Sequence, residues 1–222
     1  MKKLILIPIT LTALSPTISL VGCGNPDKPE PPEPESWEVT DQEMQDALAL
    51  KQHEYVQISL SSMTTVTGNN DGYMEFSPNC YYTKSLNQVG DGNERFVFKE
   101  DGPSYKKYVR EFETHQPGDW TGPTPSSSDE FVTVEEKGQS FLASFYTAIV
   151  SEGSGFMLEK SKKCYFGSIY NSDHQTSLDV ELYFKDKQLT KICTWVEIDS
   201  QLTAVQKYIF AYDKIDPVPP II

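Results

Sequence analysis

The chain has 222 residues, with 32 Asp and Glu against 19 Lys and Arg, a formal net charge of −13. So acidic a chain is excluded as a nucleic-acid binder, because phosphate binding is driven by Lys and Arg, and an anionic bilayer surface repels it. The length suits one domain of ordinary size with a real core.

The first patterned stretch is the N-terminus. Lys2 and Lys3 precede an uncharged apolar run from Leu4 to Val21, the layout of an export signal. A membrane-spanning helix needs about 20 predominantly apolar residues, and here Pro8, Pro16 and several Ser and Thr interrupt the run. The run ends in Leu20-Val21-Gly22-Cys23. Together with Lys2-Lys3 and the apolar run, these four residues resemble the lipobox of bacterial lipoprotein precursors. The resemblance covers the first 23 residues. It implies that residues 1–22 are a lipoprotein signal peptide, with cleavage after Gly22 and diacylglyceryl attachment to the sulfur of Cys23. It also implies a palmitate-type acyl group on the new N-terminus and a cell-envelope location, with the domain outside the cytoplasm. Two or three acyl chains hold a protein stably where one holds it only marginally. Once Lys2 and Lys3 are gone, 17 basic residues face all 32 acids, a balance of −15. The anchor at Cys23 is therefore the whole of the expected membrane attachment.

Gly24 to Ser36 reads GNPDKPEPPEPES. A Pro- and Glu-rich segment without aromatic or β-branched residues cannot bury a core, so residues 23–39 are read as an extended tether. Residues 40–222 are read as a single α+β domain.

Thr40 and Glu43 have capping-box spacing, and Met44, Ala47, Leu48 and Lys51 follow at helical intervals, predicting a helix to about Gln52. Val56, Ile58 and Leu60 alternate with polar residues into a strand reaching Val66. Gly68-Asn69-Asn70-Asp71-Gly72 reads as a turn. Tyr73 to Thr83 reads as one strand, with Pro78 marking an edge or a bulge. Gly90-Asp91-Gly92-Asn93 turns the chain before a short strand, Arg95 to Lys99. Ser104 to His115 fits helix or strand, and the flanking Asp101-Gly102 and Pro117-Gly118-Asp119 favour strand. Gly122 to Ser128 reads as a loop, with Ser127 or Ser128 capping a helical region. Glu135, Glu136 and Lys137 form its solvated lead-in, and Phe141, Leu142, Phe145, Ala148 and Ile149 mark its apolar face. The remainder reads as a meander: Phe156–Glu159, Cys164–Tyr170, Leu178–Phe184, Ile192–Ile198 and Val205–Tyr212, with a turn at Asp186-Lys187-Gln188.

Apart from Cys23 there are three cysteines, Cys80, Cys164 and Cys193, with no CxxC spacing. Each falls in a strand-like run and reads as a small buried hydrophobe. If two pair, Cys164 with Cys193 is the favoured couple. His53, His115 and His174 are isolated, without metal-ligand spacing; His174 beside Asp173 is the best acid–base candidate. Gly153-Ser154-Gly155 is not a nucleophile elbow. The Gly72 loop fails the EF-hand test, and Gly90-Asp91-Gly92 lacks a phosphate-loop pattern. The chain is accordingly read as non-enzymatic, with no cofactor and no metal. Its one excess is aromatic: 12 Tyr, 11 Phe and 3 Trp.

The order of helix, antiparallel strands, helical insertion and closing strands resembles the bacterial lipoprotein-carrier family (LolA-like and LppX-like). The residues that carry this are the helix at Thr40–Gln52, Gly118-Asp119-Trp120, the insertion at about Ser128–Val150 and the closing Tyr208-Ile209-Phe210-Ala211-Tyr212-Asp213. The resemblance spans most of residues 40–222. It implies a curved antiparallel sheet, a half-barrel, packed against the N-terminal helix and the insertion. It also implies a concave side that binds acyl chains or another hydrophobic ligand, with Phe141, Leu142, Phe145 and Ile149 as the cleft wall. The alternative expectation is a surface adhesin or envelope assembly component that binds a protein partner through an exposed sheet edge or a Tyr-rich face.

Overall fold

A computed structural model describes residues 36–64, 68–100, 102–151, 155–159, 163–171, 176–198, 201–214 and 217. The chain divides into two compact units, Met1–Pro34 and Glu35–Ile222. The first lies outside the described residues, and with it Cys23.

The second unit is α+β: an open, curved antiparallel sheet with helices on one face. The helix α1 (Asp41–Leu48) starts as expected. Thr40 accepts from the Glu43 amide while Glu43 reaches back to the Thr40 amide, closing the capping box. It ends about one turn earlier than its apolar spacing suggests. Leu50 takes a left-handed φ of 53°, which stops the helix and sets its side chain into the core, where it is fully buried.

The first meander consists of β1 (Val56–Thr64), β2 (Gly68–Phe76), β3 (Cys80–Leu86), β4 (Gly92–Lys99) and β5 (Tyr105–Glu113), followed by β6 (Gln116–Pro117) and β7 (Thr121–Ser126), which both pair with β5. Three expectations change here. Gly68 to Gly72 is not a turn but the first half of β2, in register from Thr64↔Gly68 to Leu60↔Gly72. The expected strand Tyr73–Thr83 is two strands: Pro78 sits in the tight turn between β2 and β3, where the Ser77 amide donates to the Cys80 carbonyl. The expected loop after Gly122 contains β7, whose Pro123 and Pro125 are tolerated because the strand has a partner on one side only. The β5–β6 turn falls at Thr114–His115, both with positive φ, rather than at Gly118.

A 3₁₀ turn, Ser128–Glu130, follows Ser127 as expected, without a side-chain capping bond; the α-helix of the insertion starts at Thr133. Thr133 and Glu136 form a second capping box, so Glu135, Glu136 and Lys137 belong to the helix itself. α2 (Val134–Phe141) runs through a π-helical stretch, Leu142–Thr147, into α3 (Ala148–Ser151). Phe141, Phe145 and Ile149 are spaced by four. In a plain α-helix that stripe drifts around the axis; the wider π turns hold it on one face. The chain then forms β8 (Met157–Glu159), β9 (Cys164–Asn171), β10 (Thr176–Lys185), β11 (Gln188–Ile198) and β12 (Gln201–Ala211).

Sequential strands pair as neighbours from β1 to β6 and from β8 to β12, and β1 pairs with β12 to join the two meanders. The core fills the inner face around that joint. Phe141 sets its ring edge-on to Tyr208 and Phe210, at 5.5 and 5.4 Å. Ile149 presses on Gly167, where a Cβ would lie 2.7 Å from the isoleucine Cγ2. Residues assigned to the tether join this unit too. Val39 is buried; its amide donates to the Tyr165 hydroxyl (2.8 Å), which donates to the Val39 carbonyl.

Candidate functional site

Where α1 ends and α2 begins, their backbones touch. A Cβ on Gly138 would stand 2.0 Å from the Ala49 carbonyl oxygen, so only glycine permits the approach. Beside that contact, residues 49–54, the β2–β3 turn and residues 131–139 come together around a space. The result is a cleft of about 560 Å³, within the range of roughly 300–1,000 Å³ for small-molecule sites. Its apolar lining comes from Ala49, Leu50, Pro78, Phe131 and Val134; Lys51, Glu54, Ser77, Thr133, Glu135 and Gln139 supply polar groups.

His53 lines this cleft and also a smaller one of about 270 Å³, bordered by Glu43, Asp46, Asp186 and Lys187. Its ring stacks on Tyr212 with centroids 3.8 Å apart. Burial pushes the imidazole pKa below its ordinary value, which keeps it neutral at pH 7. Burial likewise raises the Tyr212 phenol, whose hydroxyl donates to the Leu189 carbonyl at 2.5 Å. Across the smaller cleft, the Lys187 ammonium and the Thr40 amide hold the Glu43 carboxyl at about 2. Among these described groups, none is a nucleophile paired with a base.

The four residues expected on a cleft wall are elsewhere. Phe141, Phe145 and Ile149 are buried in the core, and Leu142 is partly buried against it. None lines either cleft. The reason is the fit of the helix stripe to the inner face of β12 and β9, where Phe141 meets Tyr208 and Phe210 and Ile149 meets Gly167. Asp173 and His174 lie outside the described residues. His53 and Phe131 were missed as cleft residues, and no local signal could have found them. His53 carries no motif, and Phe131 acts through its position between β7 and α2.

Cys80, Cys164 and Cys193 form no disulfide with one another. The favoured Cys164–Cys193 pair does not form, because β10 lies between their strands. Strands about 4.8 Å apart put second neighbours beyond the Cα separation a disulfide spans. Among the described residues, no helix is long and apolar enough to cross a membrane. No protein-family model matches the chain, and no curated protein matches it.

Proposed function

We propose that this protein is a non-enzymatic envelope lipoprotein, anchored through acyl groups on Cys23, whose folded body takes a hydrophobic small molecule into the cleft formed by residues 49–54, the β2–β3 turn and the start of α2. The observation that carries the reading is the cleft itself: about 560 Å³, with Ala49, Leu50, Pro78, Phe131 and Val134 in its lining. The lipobox-like Leu20-Val21-Gly22-Cys23 supports the anchor. Compared with the sequence-based expectation, the ligand contacts move from Phe141, Leu142, Phe145 and Ile149 to Leu50, Phe131 and Val134.

Two measurements test it. Cys23→Ser should abolish acyl mass on the mature chain and release it from the membrane fraction; retention with unchanged mass rejects the anchor. For the cleft, lipid mass spectrometry on the purified chain and displacement of an apolar fluorophore should show one saturable site. Val134→Arg places a charge on the apolar wall and should weaken that site at least about tenfold. Equal binding in wild type and Val134→Arg rejects the cleft.

A second reading has its own observation. The end strand β8 leaves Met157 63% and Leu158 40% exposed, beside an unpaired sheet edge that invites another chain. A photo-crosslinking residue at position 157, used in intact cells, would capture one stoichiometric protein under this reading and none under the first.

A further inference from the structure

The outer face of the second meander carries a group the cleft does not use. Glu159 on β8, Cys164 on β9 and Glu181 on β10 bring two carboxylate oxygens and one sulfur within 4.8 Å of one another. Register explains the grouping. Glu159 stands directly across from Cys164, and Glu181 faces Phe166, two residues along β9, so all three point the same way. Cys164 is fully buried, and Glu181 is 2% exposed. Cys193, the residue opposite Glu181 on β11, adds a second thiol next to the group.

We infer that Glu159, Cys164 and Glu181 form a binding site for a divalent transition-metal ion of the Zn²⁺ class. The donor set decides the class. A thiolate with two carboxylates suits a borderline cation; Ca²⁺ and Mg²⁺ take oxygen ligands only. Zn–S and Zn–O bonds of about 2.3 and 2.0–2.2 Å in tetrahedral geometry set donors about 3.5 Å apart.

The surroundings resemble a ligand's supporting shell. The Tyr183 hydroxyl and the Trp195 indole N–H both donate to Oε2 of Glu181, at 2.8 and 3.0 Å. Two donors on one oxygen fix the carboxylate's orientation, as outer partners of metal ligands do. Lys191 caps the Tyr183 ring at 3.6 Å.

The test is a titration of the full chain carrying Cys23→Ser, which leaves Cys80, Cys164 and Cys193 as its thiols. Zn²⁺ should bind one per chain, and Co²⁺ should give a thiolate charge-transfer band. Cys164→Ser should abolish the band, and Glu159→Gln should weaken Zn²⁺ by about 100-fold or more. Trp195→Phe should weaken it by about tenfold, the smaller loss typical of an outer partner. Cys80→Ser, on the first meander, should change nothing. The site is overturned by absence of saturable one-to-one binding, by binding equal in wild type and Glu159→Gln, or by a Co²⁺ band that Cys80→Ser removes. Glu159 sits half-buried on the end strand, so its variant reports even where Cys164→Ser fails to fold.

Discussion

The two meanders share one inner core, to which β1 and β2 give Val56, Ile58 and Phe76, but β3–β5 of the first carry a further aromatic group on the outer face. In β8–β12 the inner face is apolar: Val180, Leu182, Ile192 and Phe210 lie under Phe141, Phe145 and Ile149. In β3–β5 the inner face becomes polar toward β7, where Glu130 meets Lys107 at 2.6 Å and Arg95 at 3.8 Å. There the aromatics stand outside: Phe96 packs on Tyr82, Phe98 and Trp120, and Arg110 lies over Trp120. Each meander also buries one glutamate on its outer face. Glu94 is held by the Arg110 guanidinium and the Tyr82 hydroxyl. Glu181 is held by Tyr183 and Trp195, with two thiols around it. The same strand geometry thus makes an ion pair in one half and a metal-type donor group in the other. The difference comes from which residue the neighbouring strand brings opposite.

The largest effect that would break this contrast is at Phe141. As core, Phe141→Ala should cost about 3–5 kcal/mol in urea unfolding while leaving fluorophore affinity in the cleft unchanged. A small stability loss with a large affinity loss would instead make Phe141 a ligand contact. Next comes Arg110→Ala. Removing one partner of a buried pair costs about 3–5 kcal/mol; Arg110 is partly exposed, so about 2–3 kcal/mol is expected, recovered in large part by adding Glu94→Gln. No recovery in that double-mutant cycle would mean that the guanidinium acts by packing on Trp120. Phe96→Ala should cost about 1–2 kcal/mol, from partial burial and ring contacts. A loss as large as that at Phe141 would show that the outer aromatic group is a second core.

The smallest expected effect is a pH slope. The folded imidazole of His53 has a pKa below its ordinary value of 6.5. Between those two values the unfolded chain binds a proton that the folded chain does not. Stability from this group is therefore complete above 6.5, falls as pH drops toward the folded pKa, and levels off below it. His53→Phe retains the ring on Tyr212 and should flatten that part of the unfolding curve between pH 7 and 5. An unchanged slope would assign the acid sensitivity to other groups.

Local signals were readable in the residues. The Thr40–Glu43 capping box, the strand Tyr105–Glu113 and the alternation across β10 and β11 formed where the sequence placed them, because caps and period-two burial depend on near neighbours. Gly68–Gly72 misled because turn-forming residues also fit a strand whose register is set by its partner, here β1. The insertion helix misled in a different way. Its apolar stripe was legible, but whether that stripe faces a cleft or a core depends on Tyr208, Phe210 and Gly167, which come from strands later in the chain.

The sequence by itself determined the acidic charge, the capped helices, the antiparallel α+β character and the lipobox-like pattern at Cys23. Each rests on composition or on residues within a few positions of one another. Only the tertiary structure decided the rest. Gly138 against Ala49 opens the cleft across 89 positions of chain. The pairing of β8, β9 and β10 gathers Glu159, Cys164 and Glu181. Cysteines that read as small hydrophobes became thiols beside carboxylates, because strand register sets which side chains share a face and no local spacing encodes it.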